Sequence, residues 1–183
     1  MYLGDGWVGD LGGTGRIMLS LDDAYPAIIE ETIAALRSCS TGERVTRRRP
    51  RGQAFTVVYS YGRHWLDAFP QHGPGAKHER SIVLADWQRS VVDEHPQPFL
   101  RGLIHSDGCR VINRFTTKLP SGRVREYAYP RYFFSNLSAD IRGLFCEYSE
   151  RLAVHWTLSN HRNVSVSHRR SVAILDEFIG PKM

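Results

Sequence analysis

One order of sequence patterns occurs twice along this chain of 183 residues. Arg16-Ile17-Met18-Leu19-Ser20 runs into a helical stripe of Tyr25, Ile28, Ile29, Ile33 and Leu36. Arg131-Tyr132-Phe133-Phe134-Ser135 runs into a second stripe of Ile141, Leu144, Phe145, Tyr148 and Leu152. Strand-like sequence follows each stripe. Next comes a short helix carrying Leu66-Asp67-Ala68-Phe69 in the first half and Leu175-Asp176-Glu177-Phe178 in the second. Gly-Pro pairs, Gly73-Pro74 and Gly180-Pro181, stop those helices. Four matches in one order argue for a duplicated α+β unit, because a repeat at fixed order implies a supersecondary block used twice.

The local patterns agree with that block. In Phe55-Thr56-Val57-Val58-Tyr59-Ser60-Tyr61 the larger side chains alternate, the period of a strand with one buried face, and Asn163-Val164-Ser165-Val166-Ser167 alternates strictly. Cys109 to Lys118 and Val124 to Phe134 read as a long hairpin around the turn Pro120-Ser121-Gly122, in which Pro130 requires an edge or a bulge. Ser138 has the chemistry of an N-cap for the second striped helix, with Asp140 in its first turn. Trp65, Trp87 and Trp156 are assigned to the core.

Before the second block stands Phe99-Leu100-Arg101-Gly102-Leu103-Ile104-His105-Ser106-Asp107-Gly108, with Phe99, Leu100, Leu103 and Ile104 on one helical face. Gly102 lies mid-helix, where glycine costs about 1 kcal/mol relative to alanine, so close approach to another backbone is the expected compensation. Gly108 reads as a helix-terminating glycine. Asp107 is left at the negative end of the helix dipole, where local electrostatics disfavours a carboxylate, and a disfavoured residue is a candidate for function. Before the first block stands only Met1-Tyr2-Leu3-Gly4-Asp5-Gly6, whose Asp-Gly lies 102 residues before Asp107-Gly108.

Charge supports a polyanionic partner without fixing it. Of 24 basic residues only Lys77, Lys118 and Lys182 are lysine, and the net charge is +5. Guanidinium forks suit phosphates and guanine edges; a GC-rich genome would also write basic residues as arginine. Arg47, Arg48, Arg49 and Arg51 form a run that is either a solvated loop or a phosphate contact. No apolar run approaches the roughly 20 residues of a membrane span, and no secretory leader is recognisable, so a soluble, cytoplasmic protein is expected. Cys39, Cys109 and Cys146 are far apart and odd in number, as free thiols in a reducing compartment would be.

Leu100 through Gly108 resembles the nine-letter motif of the LAGLIDADG homing endonucleases, with arginine, histidine and serine at three variable places. The resemblance extends over most of the chain and implies two repeats, 1–95 and 96–183. Each is an αββαββα unit contributing four strands to a DNA-straddling saddle, with the first motif helix truncated. A related scaffold is that of the WhiA-type sporulation regulators, which lack the catalytic acids. The truncation has two readings, a start further upstream in the gene or a weakened copy, and an idle terminal residue is the alternative reading of Asp5.

What the resemblance implies about chemistry is specific. The two motif helices pack at a pseudo-two-fold axis, Gly102 permitting the approach, within a monomer that binds double-stranded DNA. Asp5 and Asp107, with the neighbouring Gly4 and Ser106, hold Mg²⁺ or Mn²⁺ at the scissile phosphates, a hard cation on oxygen donors. Lys77 falls where the family places a basic residue near the active centre, with a surface lysine as the other reading. Arg110, Asn113, Arg114, Arg123, Arg125 and Arg131 line the hairpin as candidate phosphate and base contacts, about half of them expected to face elsewhere. His105 reads as packing. Association with an intron or intein accompanies the enzyme reading; a non-cleaving DNA-binding regulator is the alternative.

Overall fold

A computed structural model describes residues 1–182 as two compact units, Met1–His95 joined by the residues from Pro181, and Pro96–Gly180. The first unit runs α1 (Tyr2–Asp5), β1 (Gly6–Asp10), β2 (Gly15–Asp22), α2 (Pro26–Cys39), β3 (Val45–Arg48), β4 (Phe55–Tyr61), α3 (His64–Ala68), a single 3₁₀ turn at Lys77–Glu79, and α4 (Asp86–Glu94). The second runs α5 (Pro96–Asp107), β5 (Gly108–Lys118), β6 (Val124–Ser135), α6 (Ala139–Arg151), β7 (Thr157–Leu158), β8 (Asn163–Val166) and α7 (Arg169–Phe178).

The duplication read from pattern is present in the pairing. Each unit contains a four-stranded antiparallel sheet, in the orders β1-β2-β4-β3 and β5-β6-β8-β7. Numbered within its own unit, each sheet has the same order, and a helix precedes the first strand, follows the second and follows the fourth in both. In the first unit Ile17, Leu19 and Leu21 of β2 and Val58 of β4 are buried, as are Ile28, Ile29, Ile33 and Leu36 of α2 and Trp65 of α3. In the second, Tyr132 and Phe134 of β6 and Val164 and Val166 of β8 are buried with Ile141, Leu144, Phe145 and Tyr148 of α6. Phe134 and Phe145 stack with centroids 4.6 Å apart, joining sheet to helix at van der Waals range. The core is thus the meeting of one strand period and one helix period in each unit.

The terminators behave as their chemistry dictates. The Ser138 hydroxyl accepts the Ile141 amide at 3.4 Å and starts α6. Pro130 needs no bulge, because the β5–β6 register is continuous from Gly108↔Phe134 to Lys118↔Val124. On its other side β6 pairs β8 only over Tyr132–Ser135, so Pro130 lies where that side of β6 is an edge.

Three expectations are corrected. Trp87 is 53% exposed and not core. Helix α4 is anchored instead by Gln88, whose amide donates to the Ala68 carbonyl at 2.8 Å and engages Gln71, so its contact with the unit is polar rather than aromatic. Trp156 is only half-buried, its indole N–H donating to Glu150 at 3.2 Å. The strict alternation at β8 does not give one wet face either: Ser165 is buried along with Val164 and Val166, since the Arg131 guanidinium donates to its hydroxyl.

Candidate functional site

Both Asp-Gly pairs form the same corner. Asp5 is the last residue of α1 and Gly6 the first of β1; Asp107 is the last of α5 and Gly108 the first of β5. Gly6 has φ −91° and ψ 155°, extended backbone, and Gly108 is absent from the positive-φ glycines among the described residues. Gly108 does end α5 as expected, but without the left-handed backbone that usually selects glycine at a helix end. Glycine is required there for space: a Cβ on Gly108 would stand 2.8 Å from Ile104 Cα and 2.9 Å from the Phe133 carbonyl oxygen. On Gly6 it would stand 2.6 Å from Tyr2 Cα. In both units the strand leaves over the helix's last turn with no room for a methyl group, and an acid is set at the corner.

The surroundings of the two corners differ. At the first, Lys77 reaches back across the unit, its ammonium donating to the carbonyls of Tyr2 (2.6 Å), Leu3 (3.1 Å) and Gly4 (2.8 Å). It lies 5.0 Å from the centre of the Tyr2 ring as well. A cation on the terminal carbonyls of a helix meets both their unpaired lone pairs and the negative end of the dipole. Lys77 is thus brought to Gly4 and Asp5 by a contact with backbone, and it is not a free surface lysine. At the second corner Asn136 donates its amide to Asp107 Oδ2 at 2.6 Å and accepts the Ser138 N–H at 2.8 Å. The Ser106 hydroxyl turns back onto the Gly102 and Leu103 carbonyls, 3.0 Å from each. His105 is buried, with Nε2 3.0 Å from the Ile179 carbonyl, which is packing as expected.

The candidate arginines separate by register. Residues paired directly across an antiparallel ladder share a face, and alternate residues change face. Tyr132 and Phe134 mark the helix-covered face of the second sheet. Arg110, opposite Tyr132, and Arg114, opposite Ala128, lie on that side; Asn113, Arg125 and Arg131 lie on the helix-free side. Arg123 sits in the turn before β6. Arg110 is committed within the protein: Nε and Nη2 hold the Asp176 carboxylate at 2.7 and 2.8 Å, and the Tyr132 hydroxyl donates to it at 2.6 Å. The Arg110 hydrogen bonds hold the Asp176 carboxyl below its ordinary 3.8. Burial first, and then the bond to Asp176, pushes the Tyr132 phenol well above its ordinary value.

In the first unit Arg47 pairs with Glu30 of α2, and Arg49 Nε meets Asp23 at 2.7 Å. Arg48, opposite Val57, lies on the helix-free face, while Arg51 is exposed at the turn. The run therefore divides into two arginines used for internal ion pairs and two that project.

The helix-free faces also carry aromatic side chains that residue-type reasoning passed over. In the first unit Arg16 lies 5.0 and 5.3 Å from the Tyr59 and Tyr61 rings. In the second, Phe115 stacks on Tyr127 at 5.2 Å and meets Tyr129 edge-on at 5.9 Å. The signal was their alternation, with Val111, Asn113 and Phe115 on one strand and Tyr127 and Tyr129 on the other; only the hairpin register shows that they share a face. Past the stretch paired to β8, this hairpin is a two-stranded ribbon, a shape that a DNA major groove admits.

No family model and no curated protein matches this sequence. Solved structures do match in three dimensions, over nearly its whole length. A LAGLIDADG meganuclease, I-AabMI, bound to uncleaved DNA superposes with a TM-score of 0.57 at 9% identity, covering 97% of this chain and 81% of that one. The fold is that of the LAGLIDADG homing endonucleases. Mesophilic variants of the homing endonuclease I-DmoI give a TM-score of 0.58 at 11% identity over 98% of this chain and 91% of theirs. The LAGLIDADG homing endonuclease I-LtrWI bound to target DNA gives 0.55 at 8% identity over 97% and 78%. In this fold the two Asp-Gly corners stand at the ends of α1 and α5. Among the described residues no helix is long and apolar enough to cross a membrane.

Proposed function

We propose that this protein is a sequence-specific endonuclease of double-stranded DNA that hydrolyses phosphodiesters with Mg²⁺ or Mn²⁺. The observation that carries the reading is the repeated Asp-Gly corner, which sets one carboxylate at the same place in each copy of a duplicated unit. Two strands require two cuts, and one acid per unit supplies a carboxylate for each. Asp5 and Asp107, with a backbone oxygen at Ser106, are hard donors and fit a hard divalent cation, whereas the Gly4 carbonyl already accepts from the Lys77 ammonium. When bound, such a cation supplies Lewis-acid stabilisation of phosphate charge and a more acidic water.

The protein's own residues set up the rest. Lys77 orders the end of α1 and places positive charge beside Asp5. Asn136 fixes the rotamer of Asp107. Arg48, Arg51, Arg123 and Arg125 are the arginines that project for phosphates or bases, with Arg114 on the opposite face of the ribbon and Arg131 held over Phe133 at 4.2 Å. The reading extends to a monomer that carries both corners in one chain, acting in the cytoplasm and associated with an intron or intein.

A second reading is a DNA-binding regulator on the same scaffold that does not cut. One experiment separates the two. Purified protein is used to select duplexes from a random library, and the enriched duplex is then incubated with Mg²⁺. Selective binding followed by a staggered double-strand cut is the expected result. Selective binding without a cut assigns the regulator, and a folded sample that selects no sequence overturns both.

A further inference from the structure

On the helix-free face of the β5–β6 ribbon, β5 sets two exposed apolar side chains on either side of a single amide, with Thr117 further towards the tip. On β5 that face presents Val111, Asn113 and Phe115; on β6 it presents Tyr127, Tyr129 and Arg131, opposite Phe115, Asn113 and Val111 in turn. The arginines nearby are accounted for. Arg131 donates to Ser165 and stacks on Phe133, Arg110 belongs to Asp176 on the other side of the sheet, and Arg125 lies 5.5 Å over Tyr127 towards the tip. The Asn113 side chain makes no hydrogen bond among the described residues, so its amide donor and acceptor are both available.

Resting on the nuclease reading, we infer that Asn113 is the base-reading centre of this ribbon and that it takes adenine. An amide pairs bidentately with adenine N6 and N7, whereas guanine, offering two acceptors on its major-groove edge, is matched by arginine or lysine. Val111 is 37% and Phe115 43% exposed; apolar surfaces of this kind on the reading face meet the thymine methyl group, the one apolar feature of the major-groove edge. Residues two apart on a strand are separated by about 6.8 Å, close to the rise of two base pairs at about 3.4 Å each. The three side chains therefore address an A·T pair and thymines about two base pairs to either side. Tyr129 stands directly opposite Asn113, and Tyr127 opposite Phe115, so the amide is flanked by aromatic surface, and leaving it unmatched against a G·C pair would cost a hydrogen-bond pair.

The test is a selection from a random duplex library by wild type, Asn113→Ala and Asn113→Arg, each checked for a folded circular dichroism spectrum. The wild type is expected to enrich an A·T pair in one half-site with thymine about two pairs away on each side. Asn113→Ala is expected to lose discrimination at that one position, by about 5- to 100-fold, with the rest of the target unchanged. Asn113→Arg is expected to move the same position towards guanine. A G·C preference at the position that Asn113→Ala alters, or an unaltered profile in both variants, overturns the assignment while leaving a selective DNA-binding protein in place. Failure of the folded wild type to select any sequence removes the nuclease reading as well.

Discussion

Lys77 shows how one side chain can hold the end of a short helix. With four residues, α1 has few intrahelical hydrogen bonds, and no side chain caps its N-terminus. Three of its carbonyls are met by one ammonium instead. Hydrogen bonds to a charged group contribute about 1.5–3 kcal/mol, enough to decide whether so short a segment is ordered. Lys77→Met is expected to cost about 2 kcal/mol in urea unfolding. It should also raise amide exchange through Gly4–Val8 while leaving α6 protected, as hydrogen-exchange mass spectrometry would read. Equal protection at Gly4–Val8 in wild type and variant would show that the helix end is held by something else. Asp176 makes a second residue-scale case. Because its native carboxyl is held below its ordinary value by Arg110, its stabilisation is complete above pH 3.8 and is lost as pH falls through the lowered native value. Asp176→Asn should therefore flatten the acid limb of the urea midpoint plotted against pH between about pH 5 and pH 2.

At the scale of elements, the helix-to-strand corners make a paired expectation. Gly108→Ala puts a methyl group against backbone of Ile104 and Phe133, which cannot move aside as a side chain tip could; overpacking of this kind costs about 1–3 kcal/mol. Gly143 lies in α6 with nothing within 4 Å of the point where an alanine methyl group would stand, so Gly143→Ala should stabilise by about 0.4–1 kcal/mol through helix propensity. Thermal unfolding of the two variants should thus shift in opposite directions. Much of the element map is legible in sequence. Phe55–Tyr61 is recognisable from alternation, α6 from its stripe and the Ser138 cap, and the hairpin from the Pro120-Ser121-Gly122 turn, because these signals are local. What is not legible depends on contacts across long separations. Lys77 meets residues more than 70 positions away, Arg110 finds Asp176 from 66 positions away, and the reason for Gly108 is a carbonyl on another strand. Trp87 escapes sequence reasoning for the same reason: only the Gln88 anchor, made to carbonyl and amide groups elsewhere in the unit, explains why the neighbouring indole stays outside.

At the scale of the whole molecule, the two copies are alike in topology and unlike in reach. The first hairpin pairs five residues on each strand, from Gly6↔Leu19 to Asp10↔Gly15, and the second pairs eleven. Six further pairs add about 20 Å of ribbon at about 3.4 Å per residue. A target bound by this chain should therefore be asymmetric, with the longer specified half under β5–β6, and footprinting of the selected duplex would read that length directly. The two helix-end acids acting on DNA are the centre of the proposed activity. Its most direct test is cleavage of a supercoiled plasmid carrying the selected target, in Mg²⁺, by wild type, Asp5→Asn and Asp107→Asn at matched occupancy of the site. The wild type should linearise the plasmid, and each variant should bind the target yet fail to do so. Linearisation by Asp107→Asn at the wild-type rate, or a wild type that saturates its target and leaves the plasmid intact, would contradict it.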